Sequence, residues 1–346
     1  MSPLLSRISD KYGIIFSVGE SAREISPFQM ILANTSSNNI IKYDSTTDTF
    51  SSVTVGSAGQ VAHLHNTSGG LVAITTNDST GCAVFRSTNN GSSWTQISTI
   101  GFSSSAVNYS KYASKSGQTI IVTQGVYQPP ARRSTDGGLT WSGDITVPDQ
   151  GVASALSSAS LSNGAWYITG RKQGGFDIGA IWRSTNSGAS WTKVFDGNND
   201  MTQGKVTYMS NVSRYLAANY AYSTYTYQKP VYSSNGTSWT NPGNGNDTSN
   251  RIDTDVDASP TSCIGVRNNT SIFRSTDGLN WSSIDLSYLS GLDTHKSVTY
   301  DSTLGTYFVL GQSYFLYSID DGLTWTKKST IISGNYSNIA PLILPS

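Results

Sequence analysis

From residue 28 onward, apolar residues come in short runs spread evenly along the chain, each bounded by Ser, Thr, Asn or Gly. Such runs, separated by turn formers, predict β-strands joined by hairpins. One stretch shows the grammar: Gln60–His65, Leu71–Thr75, Cys82–Ser87 and Trp94–Ser98 read as four successive strands. Comparable quartets follow, with first strands predicted near Ala106–Ser110, Val152–Ser157, Lys205–Met209, Ile252–Asp257 and Ser297–Asp301. Residues 1–27 do not share the pattern. There Ser2 and Pro3 suit a helix start, and Leu4, Leu5, Ile8 and Tyr12 share one helical face. Gly13–Val18 then reads as a short strand.

Between the third and fourth strands of each quartet stands a repeated phrase, Ser-x-Asp/Asn-x-Gly-x-x-Trp. It is intact at Ser87–Trp94, Ser134–Trp141, Ser184–Trp191 and Ser318–Trp325, and one residue shorter at Ser233–Trp239 and Ser275–Trp281. The acid or amide (Asn89, Asp136, Asn186, Asn235, Asp277, Asp320) can accept hydrogen bonds from nearby backbone amides and so close the turn. The glycine supplies a backbone conformation that a side chain resists. Trp94, Trp141, Trp191, Trp239, Trp281 and Trp325 open the next strand and can cover the corner with an indole ring. Their spacings of 47, 50, 48, 42 and 44 residues are the period of a four-stranded repeat.

These phrases resemble the Asp-box of sialidase-type (BNR) repeat proteins, over nearly everything after residue 28. The resemblance implies an all-β fold, a β-propeller of four-stranded antiparallel blades with the boxes between third and fourth strands. Stepping back one period from Trp94 reaches Phe50, in Tyr43-Asp-Ser-Thr-Thr-Asp-Thr-Phe50, a degenerate box without glycine or tryptophan. Seven fourth strands then imply seven blades, residues 28–346 forming one propeller and residues 1–27 an arm. The first blade has strands at Gln29–Ala33 and Asn39–Tyr43 but no inner strand before them. The C-terminal segment Tyr336–Leu344 is expected to fill that place and close the ring.

In such a meander the boxes and the loops between strands one and two share one face. Loops between strands two and three, and those between blades, share the other. The second set is long over blades three to five: Gly125–Ala131, Gly170–Gly179 and Tyr220–Pro230, with Asp196–Gly204 and Asn241–Asn250 between blades. Variable loops on a rigid scaffold are where binding tends to sit. The candidate ligand-binding residues are therefore Tyr127 and Arg132, then Arg171, Lys172, Phe176 and Asp177, then Tyr220, Tyr222, Tyr225 and Tyr227. Aromatic faces stack on sugars or protein partners, and tyrosine adds a hydroxyl. The competing reading is that the tyrosines extend a hairpin by cross-strand pairing.

Composition narrows the function classes. Lys and Arg (22) balance Asp and Glu (22), so no basic stripe invites nucleic acid. Only 13% of residues are charged, which suits an extracellular β-protein more than a cytosolic enzyme. No apolar run reaches membrane-spanning length, and no signal-peptide core opens the chain. Cys82 and Cys263 fall far apart in the repeat and read as two buried free thiols. A surface of this kind without an export signal fits a virion protein, of bacteriophage tail or appendage type. The expected partners are other virion proteins, through the N-terminal arm, and a host-surface glycan or receptor.

Enzymatic alternatives fare less well. Sialidases of the resembling family use a glutamate beside a tyrosine nucleophile, and the two glutamates here, Glu20 and Glu24, both precede the repeats. A glycoside hydrolase could instead pair two of Asp177, Asp196, Asp200 and Asp247, at a separation of about 5–10 Å. Loop aspartates are more often turn formers. Asp253, Asp255 and Asp257 share one strand face, but Ala258 and Ile264 stand where a calcium loop needs Gly and Glu. They read as a polar, channel-facing strand. His63 and His65 share a face with no Cys or Glu beside them, so neither a metal site nor a cofactor is expected.

Overall fold

A computed structural model describes residues 25–33, 37–56, 59–76, 81–101, 117–123, 130–149, 155–173, 177–197, 201–220, 229–242, 252–267, 269–329 and 342–345. Strands among them form six four-stranded antiparallel sheets and one sheet of two strands. The first sheet runs, from its inner edge, Leu342–Pro345, Phe28–Ala33, Asn39–Asp44 and Thr49–Thr54. The second is Val61–Thr67, Gly70–Thr75, Cys82–Ser87 and Thr95–Ile100. The third holds Ile120–Thr123 and Ala131–Ser134, with a single bridge from Ala131 to Ile145. The fourth is Ala155–Ser162, Ala165–Gln173, Asp177–Ser184 and Thr192–Asp196, and the fifth Met201–Met209, Arg214–Tyr220, Val231–Ser233 and Trp239–Thr240. Asp255–Ala258, Cys263–Val266, Ile272–Ser275 and Ser282–Ser283 make the sixth. The seventh comprises Ser297–Asp301, Thr306–Leu310, Tyr314–Ser318 and Thr326–Ser329.

Each middle strand buries both faces because successive side chains point to opposite neighbours. In Gly70–Thr75, Leu71 and Ala73 pack with Ile31, Ile40 and Val55 of the first sheet. Val72 and Ile74 pack with Ile120 and Val122 of the third. Seven such clusters connect successive sheets around a closed circuit. The last joins Phe28, Met30 and Tyr43 of the first sheet to Phe308, Leu310 and Phe315 of the seventh, with Ile343.

The C-terminal strand does fill the inner place in the first sheet, pairing Phe28↔Pro345 through Ile31↔Leu342. Leu342 to Leu344 of the predicted segment lie in it, and Tyr336 to Pro341 lie outside the described residues. The count of four strands per sheet differs at the third sheet, and its expected inner strand Ala106–Ser110 lies outside the described residues. Two expected loops are ladder instead. Across Gly170–Gly179 the hairpin continues to Gln173↔Asp177, and Met201 to Gly204 belong to the fifth sheet's inner strand. Ladder pairing takes up the backbone groups of Arg171 to Gln173 and Met201 to Gln203, and at the irregularity that follows Gln203 the Gly204 carbonyl accepts from Thr169 Oγ1 (2.6 Å). Both cysteines are free and buried, and the Cys82 thiol is pushed up to about 12 by burial.

Candidate functional site

The repeated phrases form the corners between third and fourth strands, and the hydrogen bonds of their serine and their acid or amide are nearly the same each time, while the indole N–H bonds the corner glycine at Trp94, Trp141 and Trp325. At the third sheet, Ser134 Oγ donates to Asp136 Oδ1 (2.7 Å) and accepts from Gly138 N (2.7 Å). Asp136 then accepts from Leu139 N (3.0 Å) and Thr140 N (2.9 Å), and Trp141 Nε1 donates to the Gly138 carbonyl (3.2 Å). Asn89, Asn186, Asn235, Asp277 and Asp320 accept backbone amides in the same way. Burial works against ionisation at Asp136 and Asp277, but these donors outweigh it and hold both carboxyls down at about 2. The extra residue of the longer phrase has a conformational origin. Asn90, Gly137, Ser187 and Asp321 take left-handed φ immediately before a left-handed glycine, and the two shorter corners have only the glycine.

The corners also fasten neighbouring sheets. Arg86 Nη2 donates to the Gly137 carbonyl (2.8 Å), and Arg133 reaches the Asn186 carbonyl (3.3 Å). Arg274 binds the Asp321 carbonyl (2.8 Å) and carboxylate (3.0 Å). Ser259, Thr261 and Ser262 complete the shell of that carboxylate. The degenerate corner at Asp44–Thr49 works differently. Asp44 accepts from Thr46 N (2.8 Å), Asp48 takes left-handed φ, and Asp48 is bridged by Lys328 of the seventh sheet (2.8 Å).

The opposite ends of the strands carry the expected binding residues. Arg132 is the second residue of the strand Ala131–Ser134 in the third sheet and is tied to Asp144 at 2.7 Å. Arg171 and Lys172 pair with Gly179 and Ile178, and Asp177 with Gln173, so all three are ladder residues. Tyr220 ends its strand opposite Met201, at the end remote from the Ser233 corner. Lys193 pairs with Asp196 (2.8 Å) and lies 3.6 Å from Asp149. Tyr127, Phe176, Tyr222, Tyr225 and Tyr227 lie outside the described residues, as do Asp200 and Asp247. The topology thus brings strand ends of sheets three to five to one face, opposite the indole corners.

A second arrangement joins the inner strands. Lys205 Nζ lies 3.3 Å from both Asp255 and Asp257 and donates to the Val298 carbonyl. Asp255 accepts from Val298 N (3.1 Å), Asp257 from Tyr300 N (2.9 Å) and Thr207 Oγ1 (2.8 Å). Burial alone would lower the Lys205 pKa, but the two carboxylates outweigh it and hold it above the ordinary lysine value. One cation and two carboxylates therefore bridge the inner strands of the fifth, sixth and seventh sheets, with Lys205 and Asp255 almost fully buried. The aspartates were legible as a polar strand face, but the lysine was not read as their partner. Its signal is the repeat itself, since Lys205–Asp255 and Thr207–Asp257 are each 50 residues apart and occupy equivalent positions in successive sheets.

No family model matches this chain, and no curated relative does. Solved structures do resemble it. A protein from Lactobacillus plantarum has a TM-score of 0.64 at 12% identity, over 92% of this chain and 99% of that one. YCF48 bound to D1 peptide has a TM-score of 0.54 at 16% identity, over 80% and 83%. An ancestral GH74 enzyme has a TM-score of 0.55 at 17% identity, over 80% of this chain and 39% of that one. The fold is a β-propeller. At these identities the likeness concerns the propeller scaffold alone, since one scaffold hosts unrelated activities.

Proposed function

We propose that this propeller is a non-catalytic virion protein of bacteriophage tail or appendage type. It binds a host-surface glycan or receptor through the strand ends and loops of sheets three to five. In this reading the corners are Asp-boxes and the two-stranded sheet belongs to a seventh blade. Residues 1–27 are the arm that joins the propeller to other virion proteins. The observation that carries the reading is topological. Arg132, the Arg171–Asp177 hairpin and Tyr220 all lie at the strand ends facing away from the corners. A chain in which only 13% of residues are charged suits recognition of neutral sugars through stacking and hydroxyl contacts. The test is binding of the purified chain to host cells and extracted surface polysaccharide, compared with Tyr222→Ala/Tyr225→Ala/Tyr227→Ala. Loss of binding in the folded triple variant supports the proposal, and indistinguishable binding or none by either protein overturns it.

A further inference from the structure

Among the described residues the outer strand of each sheet has no further strand beyond it, and proteins blunt such edges against pairing. Six of the seven sheets show a recognisable device among the described residues. The second sheet's outer strand carries a register irregularity, and its Ser98 is engaged with the Gly138 carbonyl and the Trp141 indole. The third has only the bridge at Ile145. The fourth carries Lys193 and Asp196 and a bulge. The fifth and sixth have outer strands of just two residues. The seventh carries Lys327 and Lys328 and is covered by the preceding connection. Tyr288 Oη donates to the Trp325 carbonyl (3.1 Å) and accepts from its amide (2.8 Å), and Lys327 holds the Ser290 and Gly291 carbonyls.

Among the described residues the first sheet has none of these. Its outer strand Thr49-Phe-Ser-Ser-Val-Thr54 is six residues long, without charge or proline, and pairs in unbroken register from Asp44↔Thr49 to Asn39↔Thr54. The Val55 amide bonds inward to the Asn38 carbonyl. Alternation along an antiparallel ladder therefore turns the N–H and C=O of Phe50, Ser52 and Thr54 outward.

We propose that this edge pairs antiparallel with the same edge of a second copy. A two-fold axis through Ser52 sets Ser52 against itself and Phe50 of each copy opposite Thr54 of the other. Each of these positions then exchanges backbone hydrogen bonds, joining two four-stranded sheets into one of eight. The self-pairing places only uncharged residues opposite one another, avoiding the like-charge contacts that destabilise sheets. The chain's formal net charge of zero puts no long-range repulsion between copies. Two-fold self-complementary contacts are also the commonest way identical chains associate.

Sedimentation velocity of the full chain over a wide dilution series reads the result, with amide exchange at Phe50, Ser52 and Thr54. The expected outcome is a dimer whose outward amides lose protection on dilution. Ser52→Pro removes one outward donor while leaving the inward ladder intact. It should raise the dissociation constant at least about tenfold. Ser52→Lys, which keeps the amide and adds a charge, should act in the same direction if the proline variant folds poorly. Thr99→Lys on the second sheet should leave association unchanged. A monomeric native chain at every concentration, or a dimer that persists in both folded Ser52 variants, overturns the proposal.

Discussion

His65 and His295 are the residues through which acid should first reach this fold. Burial, with His63 close by, holds His65 down at about 3, and burial holds His295 at about 4 despite its contact with the Ser271 carbonyl. A neutral buried imidazole makes the folded state bind fewer protons than the unfolded chain, whose histidines titrate near 6.5. Stability must then fall as pH drops below about 6.5, by up to roughly 1.4 kcal/mol per unit for each group. His295 stops contributing near pH 4, and His65 continues to about 3. The corner carboxylates occupy a different window. Asp136 and Asp277 have folded values near 2, so their contribution is lost only below the ordinary carboxylate range. Urea midpoints measured between pH 6.5 and 4.5 should therefore decline. His295→Gln should remove about half of that slope while leaving the steeper loss below pH 4, and an unchanged slope would contradict its burial as a neutral base.

At the scale of the hairpin, a corner glycine carries two constraints, conformation and space. Gly322 has φ +86, and a methyl group there would meet Ile264 Cδ1 of the sixth sheet at 2.3 Å. Gly164 has φ +77 in the turn between two fourth-sheet strands, with open space around its missing side chain. Both alanine variants incur the left-handed penalty, roughly 1–2 kcal/mol. Only Gly322→Ala adds overpacking against the neighbouring sheet, about 1–3 kcal/mol more. Chemical denaturation should thus rank Gly322→Ala clearly below Gly164→Ala, and equal losses would show that the corner does not press on the sheet beside it. The conformational half of this was legible in the phrase, because a hairpin turn of that length needs its glycine. The spatial half was not, because it depends on Ile264, which lies 58 positions earlier and in another sheet. The same division explains the loops. Gly170–Gly179 contains Arg171, Lys172, Gln173 and the pair Gly174 and Gly175 before Phe176, which reads as a loop, yet the flanking strands carry the ladder to Gln173↔Asp177. Cross-strand pairing overrides local propensity where a neighbouring strand stays within reach. In contrast, the inner strands of the second and seventh sheets lie close to their predicted positions, because both of their faces must be filled from adjoining sheets.

At the scale of the whole molecule, the circuit is closed by contacts between the two ends of the chain. Leu342–Pro345 pairs with Phe28–Ala33, Ile343 and Leu344 enter the two hydrophobic clusters that flank the first sheet, and Lys328 reaches Asp48 across 280 residues of sequence. Removing residues 342–346 would take away the inner strand of the first sheet and uncover both clusters at once. A single truncation of a buried side chain, such as Ile343→Ala, costs about 2–5 kcal/mol, because its cavity is local and the ladder survives. Deleting the strand also strips the inward backbone partners of Gln29 to Ile31 and frees the first sheet from its closing neighbour. The expected result is a loss larger than that of Ile343→Ala and a broader unfolding transition, since the first and seventh sheets would open ahead of the rest. The long separation of the contacting ends also makes closure a late event in refolding. Refolding of the intact chain, followed by exchange protection, should therefore protect the amides of Met30 and Ile31 after those of Val72 and Ile74. Simultaneous protection of both pairs, or a truncated chain that unfolds as sharply and at the same denaturant concentration as the intact one, would show that the ring does not depend on its C-terminal strand.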